Sequence, residues 1–261
     1  MSSGAGPDPR WLRRFGPAGA GVRLVCFPHA GGSASYFYPL AEALAPDADV
    51  LAAQYPGRQD RFSEPCLDTV DDLAEAVYRS LGDTARRPFV FFGHSMGSVV
   101  AFEVARRLEE RTGRSPSRLF ASGYPAPSRL PVGAVHRRDD AGVVRELRAI
   151  GGTDPAWLDD EDLRAVFLPA VRADYRAIEN YTWVPGAPLS CPITTLIGSA
   201  DPHTTTGSGS AWREHTAAEF DLRVFSGGHF FVDEHRPEIA GLIRSAVEQA
   251  SESTTITGGT P

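Results

Sequence analysis

A serine, an acid and a histidine stand in this chain at places where together they can cleave an acyl bond. The serine is Ser95, within Gly93-His94-Ser95-Met96-Gly97. This Gly-x-Ser-x-Gly run follows the apolar stretch Phe89-Val90-Phe91-Phe92. It precedes Val99, Val100, Phe102, Val104, Ala105 and Leu108, which recur at helical spacing. A strand, a sharp turn and a helix in that order lift a serine hydroxyl clear of a sheet. The flanking glycines lack Cβ atoms, so the turn can be tight. The hydroxyl is a poor nucleophile until a base takes its proton, and the base needs a third group to hold its tautomer. In an elbow fold the acid follows a late strand and the histidine follows the last one. Asp201 comes directly after the run 193–198, and His229 after Leu222-Arg223-Val224-Phe225 on a Gly227-Gly228 loop. Asp201 is therefore the expected acid and His229 the expected base.

The transition state of acyl transfer carries an oxyanion, which backbone N–H groups can hold. One donor is expected from Met96, at the start of the helix behind the serine. The other is expected from Ala30, in Pro28-His29-Ala30-Gly31-Gly32-Ser33 after an early strand. The G-x-G-x-x-G spacing of a dinucleotide cradle is absent there. The chain has seven histidines. His94 neighbours Ser95 but should point away from it and pack. His203, two residues past Asp201, can line the site. His136, His215 and His235 read as surface positions. No pair has H-E-x-x-H spacing, so a metal hydrolase is not expected, nor is any cofactor.

Positioning these groups needs a scaffold, and short apolar strands alternating with helical patterns supply one. Strands are expected near 22–27, 49–54, 89–92, 118–122, 192–198 and 222–225. Helices are expected near 35–45, 69–81, 95–111, 208–217 and 237–251. This alternation implies an α/β protein, a mostly parallel central sheet flanked by helices. The interval 129–190 breaks the pattern with helices only. Val143, Val144, Leu147 and Ile150 form one stripe. Leu163, Val166, Phe167, Val171, Tyr175 and Ile178 form another, with Pro169 as a kink and Gly151-Gly152-Thr153 between the two. The expected organisation is a core over 11–128 and 191–250, a helical lid inserted at 129–190, and a disordered Ser/Thr/Gly-rich tail at 251–261. An additional packed subdomain is the alternative to a lid.

Composition narrows the chemistry. The 261 residues are 42% hydrophobic and 23% charged, as in ordinary globular proteins. Lysine is absent and all 26 basic residues are arginine. Schiff-base, P-loop and Ser–Lys mechanisms are thereby excluded. A net charge of −7 offers nucleic acid no attraction. No apolar run is long enough to span a membrane, and residues 1–21 lack the apolar core of a signal peptide. Three scattered cysteines do not make a disulfide framework. A cytoplasmic monomer is the expectation.

Four motifs together, Phe27-Pro28-His29-Ala30-Gly31-Gly32, Gln54-Tyr55-Pro56-Gly57-Arg58, the Ser95 elbow and Gly227-Gly228-His229-Phe230, resemble the type II thioesterases. These are stand-alone editing enzymes of polyketide and nonribosomal peptide synthases, of α/β-hydrolase fold. The resemblance runs from Trp11 to the last helix, with 151–181 similar to the family lid. It implies hydrolysis of acyl groups from the phosphopantetheine arm of a carrier protein, clearing stalled or aberrant chains. Two readings of Arg58 and Arg61 stand side by side: contact with the phosphopantetheine phosphate or the carrier, or a solvated turn with local ion pairs. An esterase or acyltransferase acting on small oxoesters or acyl-CoA remains an alternative, as does a non-catalytic relative of the fold that only binds.

Overall fold

The computed structural model describes residues 6–16 and 22–257. Strands β1 (Leu12–Phe15) and β2 (Arg23–Phe27) are followed by α1 (Tyr38–Leu44), β3 (Asp49–Ala53) and α2 (Val70–Ser80). Then come β4 (Phe89–His94), α3 (Met96–Thr112) and β5 (Arg118–Ser122). Helices α4 (Asp140–Ile150), α5 (Pro155–Asp159) and α6 (Glu161–Glu179) precede β6 (Ile193–Gly198). The chain closes with α7 (Thr206–Ser210), β7 (Phe220–Phe225), α8 (Phe231–Glu234) and α9 (Arg236–Thr257).

The strands form one sheet in the order β1-β3-β2-β4-β5-β6-β7, parallel throughout except for β1. Its inner strands are apolar on both sides because helices cover both faces. Val25 and Phe27 of β2 face one core with α2 and α3. Leu24 and Cys26, one residue out of step, face the other with α1 and α9. Strand order reverses at β2, which lies between β3 and β4, with Phe27 in register with Gly93. Ligands of open α/β sheets bind beyond the strand C-termini at such a reversal. The loops after β2 and β4 meet there, and they carry Ala30 and Ser95.

Residues between β5 and β6 form the expected helical insertion, with a core of its own including Val143, Leu147, Leu158 and Val171. Asp139 and Asp160 cap α4 and α6 by accepting the amides of Gly142 and Leu163. Several details differ from the sequence reading, including the edge strand β1, which was not expected. Leu163 and Val166 lie on the exposed side of α6 rather than in its buried stripe. The helix expected at 208–217 is a short α7 followed by a 3-10 turn, Ala211–His215. Helix α9 also continues through 251–257, part of the expected disordered tail. Its apolar residues Ile239, Ile243 and Val247 dock on the sheet, and a nucleated helix extends at low cost. The rest of that tail, 258–261, lies outside the described residues, as do 1–5 and 17–21.

Candidate active site

Strand β4 ends at His94, and Ser95 sits on the turn with φ 54° and ψ −127°, positive φ for a residue with a side chain. Such strain persists only where the surroundings enforce it. Here they do. The Ser95 amide donates to Ser122 O at 2.7 Å. The Ser98 hydroxyl lies 2.9 Å from Gly93 O and 3.0 Å from Ser122 O, and accepts from the Ser122 amide at 3.0 Å. A Cβ on Gly93 would stand 2.3 Å from Gly97 O, and one on Gly97 would stand 2.0 Å from Phe27 O. Only glycine fits at either place. The elbow therefore presses α3 against the end of β2.

Asp201 follows β6, and His229 lies between β7 and α8. Asp201 Oδ1 accepts the His203 amide at 2.9 Å, and Oδ2 lies 2.9 Å from His229 Nδ1. A carboxylate at Nδ1 selects the tautomer with its proton there and leaves the Nε2 lone pair free. Both side chains are buried, and His229 Nε2 has no partner among the described residues. Ser95 and His229 line the same cavity of about 410 Å3. The structure thus brings together the three residues expected from sequence, from loops after three different strands.

Phe230 packs edge-on against both His229 and His29, with ring centroids 5.2 and 4.9 Å away. Burial, then repulsion from His229 and Arg58, pushes His29 down to about 3. Burial, with repulsion from His229 and His29, holds His94 well below the usual histidine range. Both rings are neutral near pH 7 and do not compete as charged groups beside His229. His94 packs as expected, with Nδ1 3.0 Å from Ser122 Oγ. His203 lines the cavity, its ring centroid 5.6 Å from that of His229. Burial lowers its pKa as well. His215, expected on the surface, is buried against Phe102, Trp183 and Trp212 with Nε2 2.9 Å from Ser128 Oγ. Burial pushes it to about 4.

Ala30 and Met96 both line the cavity. Neither amide has a protein acceptor among the described residues, whereas the next amide, Gly31, donates to Asp174 Oδ2 at 2.7 Å. The walls come from Tyr124 beyond β5 and from Val135, Ile150, Tyr175 and Ile178 of the insertion, with Arg138, Glu146 and Glu179 among them. Ile150, Tyr175 and Ile178 were legible as helical stripes. Tyr124 carried only its place after a strand as a signal.

Arg58 and Arg61 are not the solvated side chains of one reading, although Arg61 does make a local ion pair, with Glu64. Both are buried. Arg58 forks onto Asp174 at 2.5 and 2.9 Å and donates to Gly32 O at 3.0 Å. Arg61 donates to Gln54 O and both oxygens of Glu64, and lies over the Trp11 ring. A guanidinium spent on interior acceptors is not presented to a carrier or a phosphate. Asp174 lies far along the chain, so nothing near the Tyr-Pro-Gly turn announced this partner.

Among the described residues, no group of three metal-ligating side chains converges and no helix is long and apolar enough to cross a membrane. A family model described as "Thioesterase domain" matches residues 22–247. The thioesterase PikA5 of Streptomyces venezuelae is 45% identical over 258 residues, 96% of this chain and 88% of that protein. A probable cadicidin biosynthesis thioesterase of Streptomyces griseus is 51% identical over 239 residues, 91% of this chain but 66% of the relative. The solved structure of the type II thioesterase BorB, from the borrelidin biosynthetic cluster, has a TM-score of 0.84 at 45% identity. That match covers 93% of this chain and 99% of that one. With this fold, this elbow and these relatives, the chain belongs to the thioesterase family, of α/β-hydrolase architecture, and is similar over nearly its whole length to type II thioesterases.

Proposed function

We propose that this protein is a cytoplasmic serine thioesterase that hydrolyses acyl groups from the phosphopantetheine arm of carrier proteins, removing stalled or aberrant units in polyketide or nonribosomal peptide biosynthesis. The observation that carries the reading is the His229–Asp201 pair at 2.9 Å, its free Nε2 sharing one cavity with Ser95.

Ser95 Oγ attacks the thioester carbonyl while its proton passes to His229 Nε2. The new C–O bond leaves an oxyanion, held by the Ala30 and Met96 amides. The C–S bond then breaks, and the departing thiolate takes the proton from His229. Acyl-Ser95 remains. Water enters, gives a proton to the same nitrogen and attacks the ester carbonyl. Collapse of the second tetrahedral intermediate returns that proton to Ser95 and releases a carboxylic acid. Asp201 keeps Nδ1 protonated and stabilises the imidazolium at each stage. The acyl chain lies against Ile150, Tyr175 and Ile178, and the helical insertion acts as a lid that limits water to the hydrolytic step.

Incubating an acyl-loaded carrier protein with the enzyme, beside a matched oxoester and an acceptor alcohol, tests the assignment. Free acid released mainly from the thioester supports hydrolysis. Dominant transfer of the acyl group to the alcohol would overturn it in favour of an acyltransferase.

A further inference from the structure

The buried pair formed by Arg58 and Asp174 joins the sheet core to the helical insertion. Asp174 is on α6, in the insertion, and Arg58 is in the loop after β3. Their side chains are 0% and 7% exposed. Between them they grip the loop after β2 at consecutive residues. Asp174 Oδ2 accepts the Gly31 amide at 2.7 Å, and Arg58 Nη1 donates to Gly32 O at 3.0 Å. Gln54 extends the clamp, accepting from the Ala34 amide at 2.9 Å and donating to Arg58 O at 3.3 Å. One turn before Asp174, Val171 presses on the same residue: a Cβ on Gly31 would meet its Cγ2 at 2.7 Å. The face of α6 that holds Gly31 therefore fixes the peptide next to Ala30. The same helix supplies Tyr175, Ile178 and Glu179 to the cavity wall.

We propose that Arg58 and Asp174 are positioning residues that lock the Ala30 amide into oxyanion-binding geometry and couple that geometry to the seating of α6. This rests on the assignment of Ala30 as an oxyanion donor made above. An amide donor stabilises a transition state only if it is aimed before the charge develops. Here the aim is set by an ion pair that bridges the catalytic core and the insertion. Displacing α6 would release Gly31 and turn the Ala30 donor away, so hydrolysis would proceed only with this wall in place.

The test uses the full chain and an octanoyl N-acetylcysteamine thioester. Its probes are the matching trifluoromethyl ketone, which forms a tetrahedral oxyanion on a serine, and the matching thioether, which lacks the thioester carbonyl that the serine would attack. Removing one buried charge alone strands the other, so Arg58→Met and Asp174→Leu are combined. In that double variant kcat is expected to fall about 10- to 100-fold with KM within about twofold. Affinity for the ketone should fall by the same factor as kcat/KM, with affinity for the thioether unchanged. Arg58→Lys provides a second variant that keeps a cation beside Asp174. Without a planar fork it cannot hold both carboxylate oxygens and Gly32 O together, and a loss of about 3- to 10-fold in kcat and in ketone affinity is expected. Ketone and thioether affinities that fall together, or neither falling in Arg58→Lys, would overturn the coupling and leave the pair a structural brace. Ser95→Ala separates this from the functional assignment. If the wild type is inactive or Ser95→Ala remains active, the reading of the site fails; if both behave as expected, only the coupling is at stake.

Discussion

Replacing Ser98 by alanine should loosen the elbow without touching any group proposed to meet substrate. Its hydroxyl is buried, shares its proton between Gly93 O and Ser122 O, and accepts the Ser122 amide. Alanine removes these bonds and leaves strand-end polar groups short of partners in a dry interior. A loss of that kind costs about 1–3 kcal/mol. Taking about 2 kcal/mol, Tm should drop by roughly 4–8 °C for a chain of this size. Urea unfolding should show a lower midpoint with the slope unchanged, since the surface exposed on unfolding is the same. Ser122 O also anchors the Ser95 amide, so kcat should fall about tenfold while KM stays within about twofold. Ser245→Ala is the control: its hydroxyl bonds Gly241 O on an exposed side of α9, and the change should cost no more than about 0.5 kcal/mol. A Ser98→Ala protein within about 0.5 kcal/mol of the wild type, at full kcat, would refute the reasoning. The elbow would then be held by backbone bonds and glycine sterics alone.

Other expectations follow from the same contacts. Gly97→Ala places a Cβ 2.0 Å from Phe27 O and should cost more than about 3 kcal/mol, read by urea denaturation; a normal midpoint would contradict the close packing. Asp201→Asn should keep the fold, seen by circular dichroism, and lower kcat by about 10^4-fold because the His229 tautomer is no longer selected. His29 and His94 are neutral in the fold but titrate near 6.5 when unfolded, so the unfolded state binds more protons as pH falls. Stability is therefore full above about pH 6.5 and lost below it, His29 contributing down to about 3, at up to roughly 1.4 kcal/mol per pH unit for each ring. His94→Gln should flatten that decline in urea midpoints between pH 6 and 4. Ile178→Trp should shorten the longest acyl thioester accepted, measured across a chain-length series.

Much of the site was legible because local pattern and chain order carry it. Ser95 stands between a strand and a helix, and Asp201 and His229 each begin a loop at a strand end. Period and position were enough to place all three at the same sheet edge. The strand alternation likewise reflects burial on both faces, which leaves long apolar runs. What was hidden depends on contacts distant in sequence. β1, with Arg13 and Arg14 at its centre, pairs only along one edge with β3 and shows no apolar run. His215 looks polar in sequence, yet three aromatic rings enclose it. Arg58 follows a turn, where arginine is normally solvated, and is buried because Asp174, on a helix of the insertion, meets it. The short α5 offers five residues, too few for helical periodicity to register.

Where the acyl group goes decides most directly whether Ser95 is the nucleophile. An acyl-loaded carrier protein should be mixed with the enzyme, quenched within one turnover, and the digested enzyme weighed peptide by peptide. The acyl mass should appear on the peptide holding Ser95 and decay as free acid accumulates, with neither signal in Ser95→Ala. Acid release that persists in Ser95→Ala, or an acyl group carried on another residue, would contradict it.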